Sequence, residues 1–424
     1  MRTRLQLLGV HFPIFVLLFL TIFSFLSVNS IAEDWPGFLK DAQHTGYTTS
    51  SAPDDVELLW TYNTSGAVMS SPAVVNGKVY VGSNDGYLYT LDKNNGGFLW
   101  KFQTNGPVES SPLVDGNMVY VGSDDRNLYA IDTESGIKIW DFPTLSRIKT
   151  SPTFWKGRVF IGSDDTRLYA IDSITGDKRW DYKTGNIVQN SAAAWGNSVL
   201  VGGCDGILVS LDVYTGEENW NYDTSGNFIT SSPTIYDDKI YFGNYEPKMF
   251  CVDLDTGEEL WSEPLEEVAA SSPVIGYEKI FFGCKDGKVK ALDAETGDLI
   301  WEFETNGGVD ASPAIADEKI YIGSSDGSFY ALNASDGELI WSYPIGGEIK
   351  SSAAISDGIV IVGSSSNTIY AFHQAPPDNQ NGSGDNGEAT SLILEGIVFV
   401  ILIIIVVIAL IISKRRKKNI KEKE

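Results

Sequence analysis

The stretch TGDLIW, Thr296 to Trp301, is echoed along the chain. DGELIW ends at Trp341, TGEELW at Trp261, TGEENW at Trp220, TGDKRW at Trp180 and SGIKIW at Trp140. With Trp60 and Trp100, eight tryptophans stand at intervals of 40, 40, 40, 40, 41, 40 and 40 residues. No loop constraint produces that regularity. A fixed period of this length marks a repeat architecture, in which each unit buries its faces against its neighbours.

One repeat, Ser70 to Trp100, reads SSPAVVNGKVYVGSNDGYLYTLDKNNGGFLW. Ala73-Val74-Val75 ends at Asn76-Gly77, a hairpin signal. Val79-Tyr80-Val81 ends at Asn84-Asp85-Gly86, and Tyr87 to Leu91 ends in the turn Asp92 to Gly97. Phe98-Leu99-Trp100 begins a fourth run. Four short β-rich runs with three tight turns predict an antiparallel meander. The runs alternate little, so both faces of each sheet are expected to be covered. A radial stack of four-stranded blades supplies that cover.

The turn before each tryptophan repeats its chemistry: Asp132-Thr-Glu-Ser-Gly136, Asp172-Ser-Ile-Thr-Gly176, Asp212-Val-Tyr-Thr-Gly216, Asp253-Leu-Asp-Thr-Gly257 and Asp293-Ala-Glu-Thr-Gly297. A carboxylate here can accept from backbone N–H groups two or three residues on, and glycine supplies positive φ. These carboxylates are read as turn formers and not as a metal set, because each repeat has its own copy. Trp60, Trp100, Trp140, Trp180, Trp220, Trp261, Trp301 and Trp341 are read as packing anchors between blades, each with one N–H to place.

A second marker gives the same count: Ser71-Pro72, Ser111-Pro112, Ser151-Pro152, Ser191-Ala192, Ser232-Pro233, Ser272-Pro273, Ser312-Pro313 and Ser352-Ala353. The first tryptophan run, Glu57 to Tyr62, precedes the first Ser-Pro, and the last repeat ends at Phe372 without one. The last blade must therefore borrow its outer strand from Glu57–Tyr62, leaving no orphan edge at the seam. The predicted fold is all-β: residues 53–373 form a closed eight-bladed β-propeller of four-stranded antiparallel blades, with a C-terminal single transmembrane helix beyond it. The lead-in, residues 33–52, is expected to pack on one face or at the seam.

Residues 1–32 join a basic start (Arg2, Arg4) to an apolar run, with Ser30 and Ala32 at the positions of a cleavage site. They are read as a secretory signal peptide; an uncleaved anchor is the competing reading. Residues 374–390 are rich in Gly, Asn and Pro and predict a flexible stalk. Residues 391–413 contain 17 uncharged apolar residues from Gly396 to Ile412, or 21 residues counted from Leu392, enough to span a bilayer. The tail, residues 414–424, has seven basic and two acidic residues, which places it on the cytoplasmic side. The net charge is −25, and taking away the two leader arginines and the +5 of the tail leaves −32 between them. Such a surface repels nucleic acid. It is read as a solvated acidic surface and not as a dedicated cation site. Cys204, Cys251 and Cys284 are an odd number in an exported chain, with Cys251 in a core strand position, so a disulfide scaffold is not expected.

The unit spread over residues 291–332, ALDAETGDLIW to SPAIADEKIYIGSSDGSFYAL, resembles the PQQ-type (quinoprotein) propeller repeat. The segment DWPGFLKDAQHTGY, Asp34 to Tyr47, is similar to the lead-in of such propellers. The resemblance covers about 340 residues and implies the fold. It also implies two functional branches. One is the quinoprotein alcohol dehydrogenases, which bind pyrroloquinoline quinone and calcium in the axial funnel beside a vicinal cysteine pair. The other is non-enzymatic and includes the outer-membrane assembly lipoprotein. This chain has no adjacent cysteines and no long insertions between repeats, so no catalytic residue is carried over and no cofactor is expected outside the dehydrogenase alternative.

Pockets in such rings lie at the axial funnel, just before the innermost strands. Counting three places before each Pro, or its Ala substitute, gives Met69, Glu109, Lys149, Gln189, Thr230, Ala270, Asp310 and Lys350. With Arg147 and Glu348 they form a zwitterionic rim, suited to a peptide, a partner's loop or a small polar ligand; a solvated rim of self-paired charges is the bland reading. The histidines, His11, His44 and His373, fall outside the repeats, so no histidine triad or zinc cluster is expected in the ring. Asp41 and His44 are read as structural. Asn63, Asn333 and Asn381 begin Asn-x-Ser/Thr sequons, possible acceptors for glycosylation. The leading reading is a non-enzymatic, membrane-anchored extracytoplasmic module that binds or scaffolds envelope proteins. The alternatives are a quinone-dependent dehydrogenase, or a degenerate relative that still binds the cofactor, and a ligand-sensing ectodomain.

Overall fold

The computed structural model describes residues 33–376. The signal peptide, most of the stalk, the span, the basic tail and Asn381 lie outside them. No helix among the described residues is long and apolar enough to cross a membrane.

Eight antiparallel sheets form the ring. The first blade runs through Ala73–Val75, Lys78–Ser83, Tyr87–Asp92 and Phe98–Gln103, matching the four runs in the sequence. The three-residue first strands touch their neighbours in a cycle, Ala73–Val75 against Ala354–Ser356 included, so they are innermost and the ring is closed. The second and third strands of each blade are almost wholly buried, as their unbroken apolar character demands. The outermost strand differs. Its pattern alternates toward solvent, because its outer edge has no neighbour.

The seam forms as the strand count requires. Val56–Asn63 pairs with Thr368–Gln374 and completes the last blade, so His373, expected outside the repeats, lies in the ring opposite Glu57, because the strand pairing runs on past Phe372. Each outer strand carries a register shift just before its tryptophan. The extra residue of such a bulge re-aims the side chain, here toward the next blade. Trp100 Nε1 donates to Thr133 O at 3.1 Å and Trp301 Nε1 to Ala334 O at 3.2 Å, each in the Asp-turn of the following blade. At the seam Trp341 donates to Pro53 O at 3.3 Å, so Pro53 stands where the last blade lacks that turn. The turn glycines admit nothing larger. Gly136 has φ +68°, and a Cβ there would meet the Trp100 ring at 2.7 Å. The turn carboxylates act as expected: Asp293 Oδ1 accepts from Glu295 N and Thr296 N, both at 2.9 Å. Hydrogen bonds from backbone N–H and Thr296 hold its pKa down, those from Thr296 N leading.

The serines of the Ser-Pro marker form a second closed circuit. Ser71 N donates to Ser111 Oγ, Ser111 N to Ser151 Oγ, and so on through Ser191, Ser232, Ser272 and Ser312 to Ser352, whose N–H returns to Ser71 Oγ. All eight bonds measure 2.9–3.1 Å and all eight serines are buried. Each hydroxyl thus satisfies a backbone donor that has no strand partner at the crowded axis.

Candidate functional site at the open mouth of the ring

The two ends of the ring are unequal. At the end carrying the first hairpin turns, such as Asn76-Gly77, the lead-in crosses the innermost strands. Its carbonyls on Trp35, Pro36, Ala42, Gln43, Thr45 and Gly46 accept from Val74, Val114, Ala194, Ile235, Ile275 and Ile315 N–H at 2.7–3.0 Å. These donors are the middle residues of six innermost strands. Tyr47–Thr48 then adds a short parallel pairing to Ile315 and Ala316. Trp35, Leu39 and His44 are buried under this cover. His44 Nδ1 lies 3.0 Å from Pro233 O, so a neutral imidazole donates there. Burial lowers its pKa to about 4. Asp41 accepts from Gln43 N and Thr45 N, which makes the Asp41–His44 segment a turn. Where the lead-in passes Phe154 of the third blade it leaves a cavity of ≈ 140 Å³, lined by Phe38, Asp41, Leu113 and Phe154 among others. That is well below the ~300 Å³ at which ligand pockets begin.

The opposite end carries the rim. Val68, Val108, Ile148, Val188, Ile229, Ala269, Val309 and Ile349 are buried, each against a second-strand glycine of the preceding blade. The residues that follow them, Met69, Glu109, Lys149, Gln189, Thr230, Ala270, Asp310 and Lys350, are half-buried or exposed. The alternation expected for a mouth lining is therefore present. The structure brings the charges together in pairs, some within one blade's loops and some across adjacent blades. Lys149 Nζ lies 2.7 Å from Glu109 Oε2. Lys350 Nζ lies 3.1 Å from Glu348 and 3.8 Å from Asp310. Arg147 binds Asp164 through Nε and Nη2 at 3.0 and 2.8 Å, and Gln189 Nε2 reaches the other oxygen at 3.1 Å. Thr230 Oγ1 donates to Ala269 O instead of facing the others.

Asp164 belongs to a set that the count from proline misses. Asn84, Asp124, Asp164, Cys204, Tyr245, Lys285, Ser325 and Ser365 sit in the turns between the second and third strands. Each N–H donates to a carbonyl of the loop that carries the rim, at 2.7–3.2 Å. Asp124 has its pKa raised, by burial first, against the pull of Lys149. The signal was available as a polar residue after Ser83, Ser123 and Ser163 at the same period. The same mouth exposes Leu145, Phe228 and Tyr245, the last two rings 6.4 Å apart.

Two of the sequons are described. Asn63 is exposed, its Oδ1 accepting from Thr368 Oγ1 at 3.0 Å. Asn333 takes the turn-forming place of aspartate, its Oδ1 accepting from Ser335 N at 2.8 Å. The cysteines are free and lie in separate strands or turns, Cys251 and Cys284 buried. Quinone stacking against a vicinal disulfide therefore has no counterpart here. Among the described residues no group of three His, Cys, Asp or Glu side chains converges as a metal set.

The family model described as outer membrane protein assembly factor BamB matches residues 45–146, 113–282 and 285–377, which together span the ring. The chain belongs to this family. No curated protein matches it. Among solved structures, BamB from Moraxella catarrhalis is 19% identical with a TM-score of 0.67, covering 75% of this chain and 100% of that one. Quinohemoprotein alcohol dehydrogenase from Comamonas testosteroni is 16% identical with a TM-score of 0.73, covering 84% and 82%. A computationally designed protein is 20% identical with a TM-score of 0.69, covering 75% and 100%. Likeness at these identities is one of fold, and it extends to both functional branches.

Proposed function

We propose that this chain is a non-catalytic, membrane-anchored extracytoplasmic propeller that binds a partner protein of the cell envelope through the open mouth. The observation that carries this reading is the inequality of the two ends. One is sealed by the chain's own lead-in, and the other offers paired charges beside the exposed Leu145, Phe228 and Tyr245. Apolar side chains ringed by adjustable ion pairs suit a protein surface, where charges set register and partner choice and the apolar residues supply affinity. Membership of the BamB family supports a role in envelope protein interactions. The apolar segment after the stalk and the basic tail supply the anchor and its orientation.

The test is site-specific photocrosslinking in intact cells from Gln189 in the mouth and from Glu338 at the sealed end. The expected adduct forms from Gln189 alone and is lost when Lys149→Glu and Lys350→Glu are combined. Equal labelling from both ends, or an adduct indifferent to the charge reversal, would remove the mouth from the function. A spectroscopic titration of the purified chain with pyrroloquinoline quinone and calcium is expected to show no saturable change. Saturation would favour the dehydrogenase branch.

A further inference from the structure

The pseudo-symmetry of the ring provides an internal control at its sealed end. In four blades the first residue of the second strand lies against the third residue of the next blade's Asp-turn or of the segment that replaces it at the seam. In three blades this contact is an ion pair: Lys78 with Glu134 at 2.6 Å, Lys239 with Glu295 at 3.0 Å, and Lys319 with Asp54, which takes the turn position at the seam, at 2.7 Å. In the third blade the cation is Arg158, but the residue opposite is Tyr214. The guanidinium lies over the Tyr214 ring, 4.8 Å from its centroid. Arg158 Nη1 donates to Lys156 O, and its buried Nε has no partner. Lys156 Nζ is held by Asn197 at 2.6 Å and lies 5.6 Å from the same ring. Neither cation forms an ion pair among the described residues, nor does Lys279 at the sixth blade's equivalent of Arg158, whereas the counterparts of Arg158 in blades one, five and seven do.

These two cations stand among exposed aromatic rings. Trp155 and Trp195, at equivalent places in neighbouring blades, stack at 6.3 Å and 25°. Trp195, Tyr214 and Tyr236 are about half exposed. Exposed Trp, Tyr and Arg together are the composition of a binding hot spot. On a chain this acidic, a cluster of unpaired cations selects an anionic partner.

We infer that the Trp155–Lys156–Arg158–Trp195–Tyr214 patch is a docking site for an acidic, extended segment of a partner polypeptide. A glutamate or aspartate of that segment takes, beside Arg158, the place that Glu134 and Glu295 hold within the ring. Its neighbouring residues lie on the exposed faces of Trp195 and Tyr214. The internal pairs are made by amino-acid carboxylates at this same geometry, which is why a peptide is favoured over other anions. The site lies at the opposite end from the mouth, so it stands or falls independently of the reading proposed above.

The test uses the purified full chain in detergent and fluorescence anisotropy of a short fluorescein-labelled peptide of alternating glutamate and proline. Binding that weakens as salt rises, with at least tenfold weaker binding of the glutamine counterpart, is the expected result. Tyr214→Glu installs the internal carboxylate found in blades one and five, so it is expected to fold normally and to weaken binding at least tenfold. Arg158→Gln should do the same without adding a charge, and circular dichroism checks that both variants are folded. No binding of the glutamate peptide, or equal binding by folded Tyr214→Glu, overturns the proposal. Polygalacturonate or phosphatidylglycerol vesicles binding in preference to the peptide also overturns it and assigns the patch to an acidic saccharide or a lipid surface.

Discussion

The sealed end and the open mouth are built from the same eight repeats, yet they are held by different forces. At the sealed end the lead-in spends its backbone carbonyls on six innermost strands and buries Trp35, Leu39 and His44. At the mouth the contacts are between charged side chains that water still reaches, such as Lys149 with Glu109. Buried backbone bonds and apolar packing contribute to stability; half-exposed ion pairs contribute about 0–1 kcal/mol each. The contacts of the lead-in therefore belong to the fold, whereas the paired charges of the mouth can change at little cost in stability.

The largest effect should come from the clasps that the sealed end shares with the seam. Trp341→Ala removes a buried indole and one of the two donors to Pro53 O, the Tyr321 hydroxyl being the other. A loss of about 3–5 kcal/mol is expected from chemical denaturation. A loss under ~1 kcal/mol would mean that the seam is not a limiting contact.

Acid should act on the sealed end next. His44 is neutral in both states above pH ~6.5. Its folded pKa is lowered to about 4 by burial, so between those values the unfolded chain takes up a proton that the folded chain refuses. Stability attributable to this site is therefore complete above pH ~6.5 and falls by about 3 kcal/mol as pH drops through 4. Asp41 beside it works the other way, because burial raises its pKa. Thermal melts of the parent and of His44→Gln between pH 7 and 4 should diverge, with the variant flatter. Parallel curves would remove His44 as the source.

Smaller again is the serine circuit. Ser232→Ala leaves the buried Ser191 N–H without its acceptor, and a cost of about 1–3 kcal/mol is expected in the same denaturation assay. The smallest effect on stability belongs to the mouth. Lys149→Glu with Lys350→Glu should shift unfolding by no more than about 1 kcal/mol, since both cations are partly exposed. A large shift there would erase the contrast between the two ends.

Much of this was legible in the primary structure for a simple reason. The strand runs, the Asp-turns and the interval to each tryptophan are local or periodic, so Glu57–Tyr62 could be assigned to the last blade without coordinates. The alternation of the buried Val108 and Ile148 with the more exposed Glu109 and Lys149 was also legible. Their pairings were not. Arg147 meets Asp164 and Gln189, and nothing in the repeat register says which loop side chains will reach one another. Likewise, Asn76-Gly77 and its equivalents showed where the hairpins turn but not that the lead-in would thread across them.

What the sequence determined by itself is therefore the number of blades, their four-strand content, the closing strand and the turn chemistry. Each depends on hydrophobic pattern and turn residues repeated at a fixed period. What only the tertiary structure decided is the closed serine circuit, the sealing of one end, the pairing of the rim and the substitution of Tyr214 for a carboxylate opposite Arg158. Most of those contacts join residues about one repeat or more apart, and the shorter ones, such as Arg147 with Asp164, join separate loops at the mouth. Chemistry of that kind exists only once the ring has brought the blades side by side.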